Sequence, residues 1–68
     1  SSAVAQDPDY SAAWKLYGRS LGASGRHAEA LEVFDRGIGV AEKRGDIQAA
    51  KEMRVFRKRA ARSLDEGG

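Results

Sequence analysis

The sequence predicts an all-α fold, and three observations support this. Apolar residues recur at steps of three and four along most of the 68-residue chain, which is the spacing of one helix face. The alternation of polar and β-branched residues that marks strands is missing, and the chain contains no threonine. A single proline and clusters of glycine divide the chain into three segments. We therefore expect an antiparallel helical hairpin followed by a third helix.

The first predicted helix begins at Asp9, directly after Pro8, and continues for about four turns. Residues at helical spacing form its expected inward face: Tyr10, Trp14, Tyr17, Gly18 and Leu21. The helix is expected to end within residues 22–25, where two of the four residues are glycine.

The second predicted helix keeps the same spacing and ends in a basic last turn before Gly45. Gly37 and Gly39 lie inside it. Each glycine costs a helix about 0.5–1 kcal/mol relative to alanine. We therefore expect close packing of a neighbouring helix at both positions.

The third predicted helix runs from Ile47 to Leu64, with Asp46 as its N-cap and residues 65–68 as a tail. Val55 is expected on its outer side. The expected inward positions are again three or four residues apart: Ile47, Ala50, Met53, Phe56, Ala60 and Leu64.

The spacing in the first two helices also resembles a known repeat. One unbroken frame contains Trp14, Tyr17, Gly18, Leu21, Gly25, Ala30 and Phe34. This pattern resembles the tetratricopeptide repeat, a helical hairpin that stacks into an α-α superhelix. The resemblance implies that residues 9–45 are one repeat hairpin and residues 46–64 a divergent cap helix. Ala3 and Pro8 match the closing positions of such a repeat, so residues 1–8 are expected to be the remnant of a preceding one.

Composition argues against catalysis and against a cofactor or metal. The chain has no cysteine and one histidine, His27, which is expected to be a packing or surface residue because no nucleophile or orienting carboxylate is placed to act with it. No apolar run approaches the ~20 residues that span a bilayer, and no signal peptide is visible. We expect a non-catalytic, cytoplasmic protein with no membrane span.

The resemblance implies a protein-interaction module that binds a peptide or protein on its concave side. That side would be lined by the first helix of the hairpin, where the candidate binding residues are Ala12, Lys15, Arg19 and Gly22. An acidic peptide or a C-terminal carboxylate is the expected ligand. The alternative is that Lys15 and Arg19 are ordinary solvated charges.

A second candidate surface lies on the third helix, because residues 43–62 contain eight basic and two acidic side chains. Four of them, at steps of three and four, form a basic stripe: Lys51, Arg54, Lys58 and Arg62. This stripe is the alternative site, for RNA or another anionic surface. Phe56 is expected on the buried side, so no stacking platform for bases is evident and nucleic acid is not favoured. The favoured interpretation of the stripe is a solvated outer face on a cap helix. Self-association is a further expectation, because the hairpin face that would meet a preceding repeat is open.

Overall fold

The computed structural model describes residues 9–67, which form three α-helices and no strand. Helix α1 spans Asp9–Ala23, α2 spans His27–Arg44 and α3 spans Ile47–Gly67. Helix α2 packs against both other helices, and α3 also contacts α1. The predicted all-α hairpin with a third helix is confirmed. The predicted remnant in residues 1–8, and Gly68, lie outside the described residues.

The two turns between the helices use the same backbone motif. Gly25 follows α1 with φ 83°, and Gly45 follows α2 with φ 78°. In the second turn the Asp46 N–H donates to the Ala41 carbonyl at 2.7 Å, and the equivalent bond closes the first turn at 2.9 Å. These bonds satisfy carbonyls that the helix end leaves free, and they require a left-handed residue that glycine supplies without strain. Both helix ends are therefore set by local sequence.

The beginning of α3 is capped as predicted, but its end lies further along the chain. The Ala49 N–H donates to Asp46 Oδ1 at 3.2 Å, which is an N-cap bond. Helix α3 then continues to Gly67 instead of ending at Leu64, so most of the predicted tail is helical. An ion pair from Arg62 to Glu66, four residues on, spans this last stretch at 3.7 Å. Such pairs favour continuation of a helix.

The core is built largely from small side chains. Its buried members come from all three helices: Leu21, Ala30, Val33, Phe34, Ala41, Ala49, Ala50, Met53 and Ala60. Alanine at five of these nine positions allows the helix backbones to approach closely. Phe34 and Phe56 fill the remaining space with stacked rings whose centroids are 5.8 Å apart. The Cα extents are 42 × 19 × 13 Å, so no helix is enclosed on every side.

Two helical glycines mark the closest approaches. A Cβ on Gly18 would lie 2.6 Å from Cζ of Phe34, and one on Gly37 would lie 2.5 Å from Sδ of Met53. Close packing therefore accounts for both residues. The same expectation is wrong for Gly39, where an added Cβ would meet nothing within 4 Å.

Two predicted inward residues are exposed, because each lies at the edge of its helix's apolar stripe. Tyr17 is 56% exposed and lies about 100° around α1 from buried Gly18. Ile47 is also 56% exposed and lies about 120° around α3 from Met53. Val55 is exposed, as predicted.

Candidate functional site

The predicted binding residues of α1 lie on the side of that helix that meets α3. Lys15 extends across to α3, where its Nζ lies 2.5 Å from Oε1 of Glu52. Arg19 lies over the ring of Phe56, with Cζ 5.1 Å from the ring centroid. Ala12 is partly buried on the same helix.

A pocket of about 240 Å³ opens at one end of the seam between α1 and α3. We call it the Phe56 pocket. Its lining combines an apolar floor with polar groups: Gly18, Arg19, Gly22, His27, Ala30, Phe34, Phe56, Arg59, Ala60 and Ser63. The predicted candidates Arg19 and Gly22 thus share one cavity, whereas Lys15 is outside it. Among residues 11–66, no aspartate or glutamate lines this pocket.

Two arginines approach the ring of Phe56 within cation–π range. Cζ of Arg19 is 5.1 Å from the ring centroid and Cζ of Arg59 is 5.8 Å from it. Phe34 stacks on the same ring. The Phe56 ring therefore lies within reach of both cations and of the Phe34 ring. The sequence-based prediction included Arg19 but assigned no binding role to Phe56 or Arg59.

These two arginines differ from most others in the described part of the chain. Five arginines form ion pairs with carboxylates: Arg26 with Glu29, Arg36 with Glu32, Arg54 with Glu42, Arg57 with Asp35 and Arg62 with Glu66. Among residues 11–66, neither Arg19 nor Arg59 has a carboxylate partner. The Phe56 pocket therefore carries two positive charges that no described carboxylate neutralises.

Lys15 is already engaged by the protein itself. Its hydrogen bond to Glu52, a second bond from Gln48 and the nearby ammonium charge lower the pKa of the Glu52 carboxyl below its ordinary value. Gln48 donates from Nε2 to Glu52 at 3.3 Å. A ligand carboxylate at Lys15 would have to compete with Glu52. The positive charge available on this side of α1 is therefore that of Arg19.

The predicted basic stripe on α3 is exposed but partly neutralised. Arg54 pairs with Glu42 of α2, and Arg62 pairs with Glu66 of its own helix. Lys51 and Lys58 have no ion-pair partner among the described residues. The stripe therefore presents two unpaired lysines, which lie seven residues apart on the helix.

The opposite side of the hairpin, away from α3, is not covered by any of the described helices. Leu16 is 61% exposed there, and Tyr17 lies beside it. A shallow pocket of about 240 Å³ lies between α1 and α2 at the surface. It is lined by Trp14, Tyr17, Leu21, Glu29, Glu32, Val33 and Arg36. Apolar and charged groups of both signs thus share this face.

Within residues 9–67, no group of three or more His, Cys, Asp or Glu is placed to hold a metal ion. No helix in this part of the chain is long and apolar enough to cross a membrane.

Comparison with known proteins gives two similarities. A family model described as "Far upstream element-binding protein, C-terminal" matches residues 1–33, which is slightly under half of the chain. That match includes α1 and the first turns of α2 and leaves out α3. No solved structure matches the chain.

The second similarity covers most of the chain. A curated protein of Pseudomonas aeruginosa, named TPR repeat-containing protein PA0015, is 45% identical over 60 residues. The aligned segment is 88% of this chain and 57% of the relative, so the chain spans little more than half of that protein's length. The name agrees with the repeat frame from Trp14 to Phe34 and with the packed hairpin that this frame forms. The chain belongs to the tetratricopeptide-repeat family.

Proposed function

We propose that this chain is a non-catalytic protein-interaction module that binds an acidic peptide segment in the groove between α1 and α3. Membership of the repeat family supports protein interaction in general. The observation that supports this particular groove is the pair of uncompensated cations, Arg19 and Arg59, at the apolar Phe56 pocket. Ligand sites commonly combine an apolar lining with a few polar groups that fix orientation.

The groove is the concave face that the repeat resemblance implies. Its residues come from the first helix of the hairpin and from α3, which lies beside it, and α2 contributes His27, Ala30 and Phe34 to the Phe56 pocket. The seam from Lys15 to Gly22 is about two helical turns long. It therefore accommodates a few residues of an extended peptide. The part of the seam near Lys15 is closed by the ion pair with Glu52, so we place the anionic contact at Arg19.

Two glycines make a matched test of this location. A Cβ on Gly22 or on Gly39 would meet nothing within 4 Å, so both helices should accept a larger residue. Gly22 lines the Phe56 pocket, whereas Gly39 lies on α2 beside Val40 and outside that pocket. Gly22→Phe should therefore fill the binding site, and Gly39→Phe should add a similar apolar ring elsewhere.

The probe is a phage-displayed library of random dodecapeptides, selected on the immobilised full chain. We expect the enriched peptides to be rich in acidic residues. They should bind the unmodified chain and Gly39→Phe equally, and lose binding to Gly22→Phe. Circular dichroism should show that both variants remain helical. Enriched peptides that still bind Gly22→Phe, or a selection that yields no binder, would overturn the proposal.

The alternative function, binding of RNA by the basic stripe, can be tested by comparing the affinities of the chain for RNA and for the selected peptides. If the chain bound a single-stranded RNA oligomer in preference to every selected peptide, and Lys51→Glu with Lys58→Glu abolished that binding, the stripe would be the functional surface. The pairing of Arg54 and Arg62 argues against this outcome.

A cytoplasmic location is a separate proposal. It is based on the absence of cysteine and is tested by cell fractionation.

Self-association remains a separate proposal for the open side of the hairpin. It is supported by the exposure of Leu16 and Tyr17. Sedimentation at high protein concentration tests it, and a monomer at every concentration would refute it. Leu16→Lys should reduce any association without affecting the peptide groove.

A further inference from the structure

We infer, building on the proposed peptide-binding function, that the Phe56 pocket receives a phosphorylated serine or threonine side chain of the partner. The inference depends on charge, on the way the two arginines are held and on the remaining donors of the pocket.

Charge favours a phosphate over a carboxylate. Arg19 and Arg59 contribute two positive charges, and no acidic residue of the described chain lines the pocket. A phosphomonoester carries about −1.5 to −2 charges at neutral pH, whereas a carboxylate carries one. A phosphate therefore neutralises both guanidinium groups. A single carboxylate would leave one of them uncompensated.

The two arginines are held in position while their donors stay available. The Phe56 ring interacts with the positive charge of each guanidinium group, at 5.1 Å for Arg19 and 5.8 Å for Arg59. This contact uses none of the N–H donors, and each arginine has five of them. Charged hydrogen bonds from guanidinium to phosphate are strong and often bidentate. Holding the side chains before the ligand arrives lowers the entropy that binding would otherwise lose.

The rest of the pocket suits a phosphorylated residue with apolar neighbours. His27 and Ser63 are lining residues whose side chains can donate hydrogen bonds. Ala30, Ala60 and Phe34 contribute apolar surface to the same pocket. A volume of about 240 Å³ holds a side chain, not a folded domain.

The test compares four peptides and one oligonucleotide as ligands of the full chain by fluorescence anisotropy. The probe is an acetylated, amidated pentapeptide with phosphoserine at its centre and leucine on either side. Two matched peptides carry serine or glutamate at the centre. A third keeps the central serine and has a free C-terminal carboxylate, and an oligouridine reports phosphodiester binding. The phosphopeptide should bind about tenfold or more tighter than the glutamate peptide, because loss of one charge-assisted hydrogen bond has an effect of that order.

Three arginine variants locate the contact. Arg19→Gln and Arg59→Gln should each weaken binding of the phosphopeptide about 10-fold to 100-fold. Arg62→Gln is the control, because Arg62 is exposed on the same helix and already pairs with Glu66. It should bind normally. Since all three side chains are exposed, the variants should remain folded, and circular dichroism checks this.

The outcomes separate this inference from the function on which it rests. Equal affinity for the phosphoserine and glutamate peptides, tighter binding of the free carboxylate, or an equal effect of Arg62→Gln would overturn the phosphate assignment. If the selected dodecapeptides still bound in a manner blocked by Gly22→Phe, the peptide groove would stand. Preferential binding of oligouridine, or failure of every peptide including the selected ones, would overturn both.

Discussion

The clearest test of the packing compares the same substitution at two glycines of one helix. Gly37→Ala would place a Cβ 2.5 Å from Sδ of Met53 and 2.8 Å from Cβ of Trp14. The sulfur can move, but the Cβ of Trp14 is fixed to its backbone, so α1 and α2 would have to separate. Gly39→Ala would meet nothing within 4 Å.

The magnitudes follow from two opposing effects. Both substitutions recover helix propensity of about 0.5–1 kcal/mol. Overpacking of a core costs about 1–3 kcal/mol, and only Gly37→Ala incurs it. The propensity gain cancels when the two variants are compared, so Gly37→Ala should be less stable than Gly39→Ala by about 1–3 kcal/mol. Gly39→Ala should be more stable than the unmodified chain.

Thermal unfolding followed by circular dichroism at 222 nm measures this difference. In a domain of this size, each kcal/mol shifts Tm by about 4–8 °C. A Gly37→Ala variant that melts at the same temperature as Gly39→Ala, or above it, would refute the close approach of the helices at Gly37. Gly18→Ala, which meets the ring of Phe34, gives an independent check at the other glycine contact.

Three further predictions concern α3. Met53→Ala removes a fully buried side chain and should cost about 2–5 kcal/mol. Because a chain of this size has modest stability, much of its helical circular dichroism should be lost at 25 °C. Asp46→Ala removes the N-cap bond and should cost about 1 kcal/mol by urea unfolding, whereas Asp46→Asn should restore most of it. Glu52→Gln removes the pairing with Lys15. Since the pKa of Glu52 is lowered in the folded chain, its contribution is complete above the unfolded-state pKa and is lost as pH falls through the folded-state pKa. The stability difference between Glu52→Gln and the unmodified chain should therefore shrink on acidification, and a constant difference would contradict the pairing.

Sequence predicted the helix boundaries best where a local signal sets them. Gly25, Gly45 and Asp46 each act within a few residues of their own position, through a left-handed turn or a cap bond. Burial was predicted less well at stripe edges. Tyr17 belongs to the expected frame, but among the described residues α1 is covered only by α2 and α3, and the edge of its stripe remains exposed.

The candidate site could be predicted only in part, because its contacts join distant segments. Lys15 and Glu52 are 37 residues apart, and no spacing rule indicates that they meet. Arg19 was identified from its place on α1. Its proximity to Phe56 and Arg59 depends on the angle at which α3 packs against α1. That angle cannot be predicted from the periodicity of a single helix.

Ion pairs between α3 and α2 explain part of the uneven charge distribution along the chain. The basic side chains of α3 suggested a surface for an acidic partner, yet Arg54 and Arg57 reach back to Glu42 and Asp35 of α2. Exposed pairs of this kind contribute only about 0–1 kcal/mol each. Their pairing nevertheless leaves less positive charge on the outer face of α3. Specific recognition of an anion is therefore expected where cations remain unpaired beside an apolar surface, and Arg59 meets that condition together with Arg19. A basic stripe is thus a weaker guide to binding than two arginines that have no carboxylate partner in the described part of the chain.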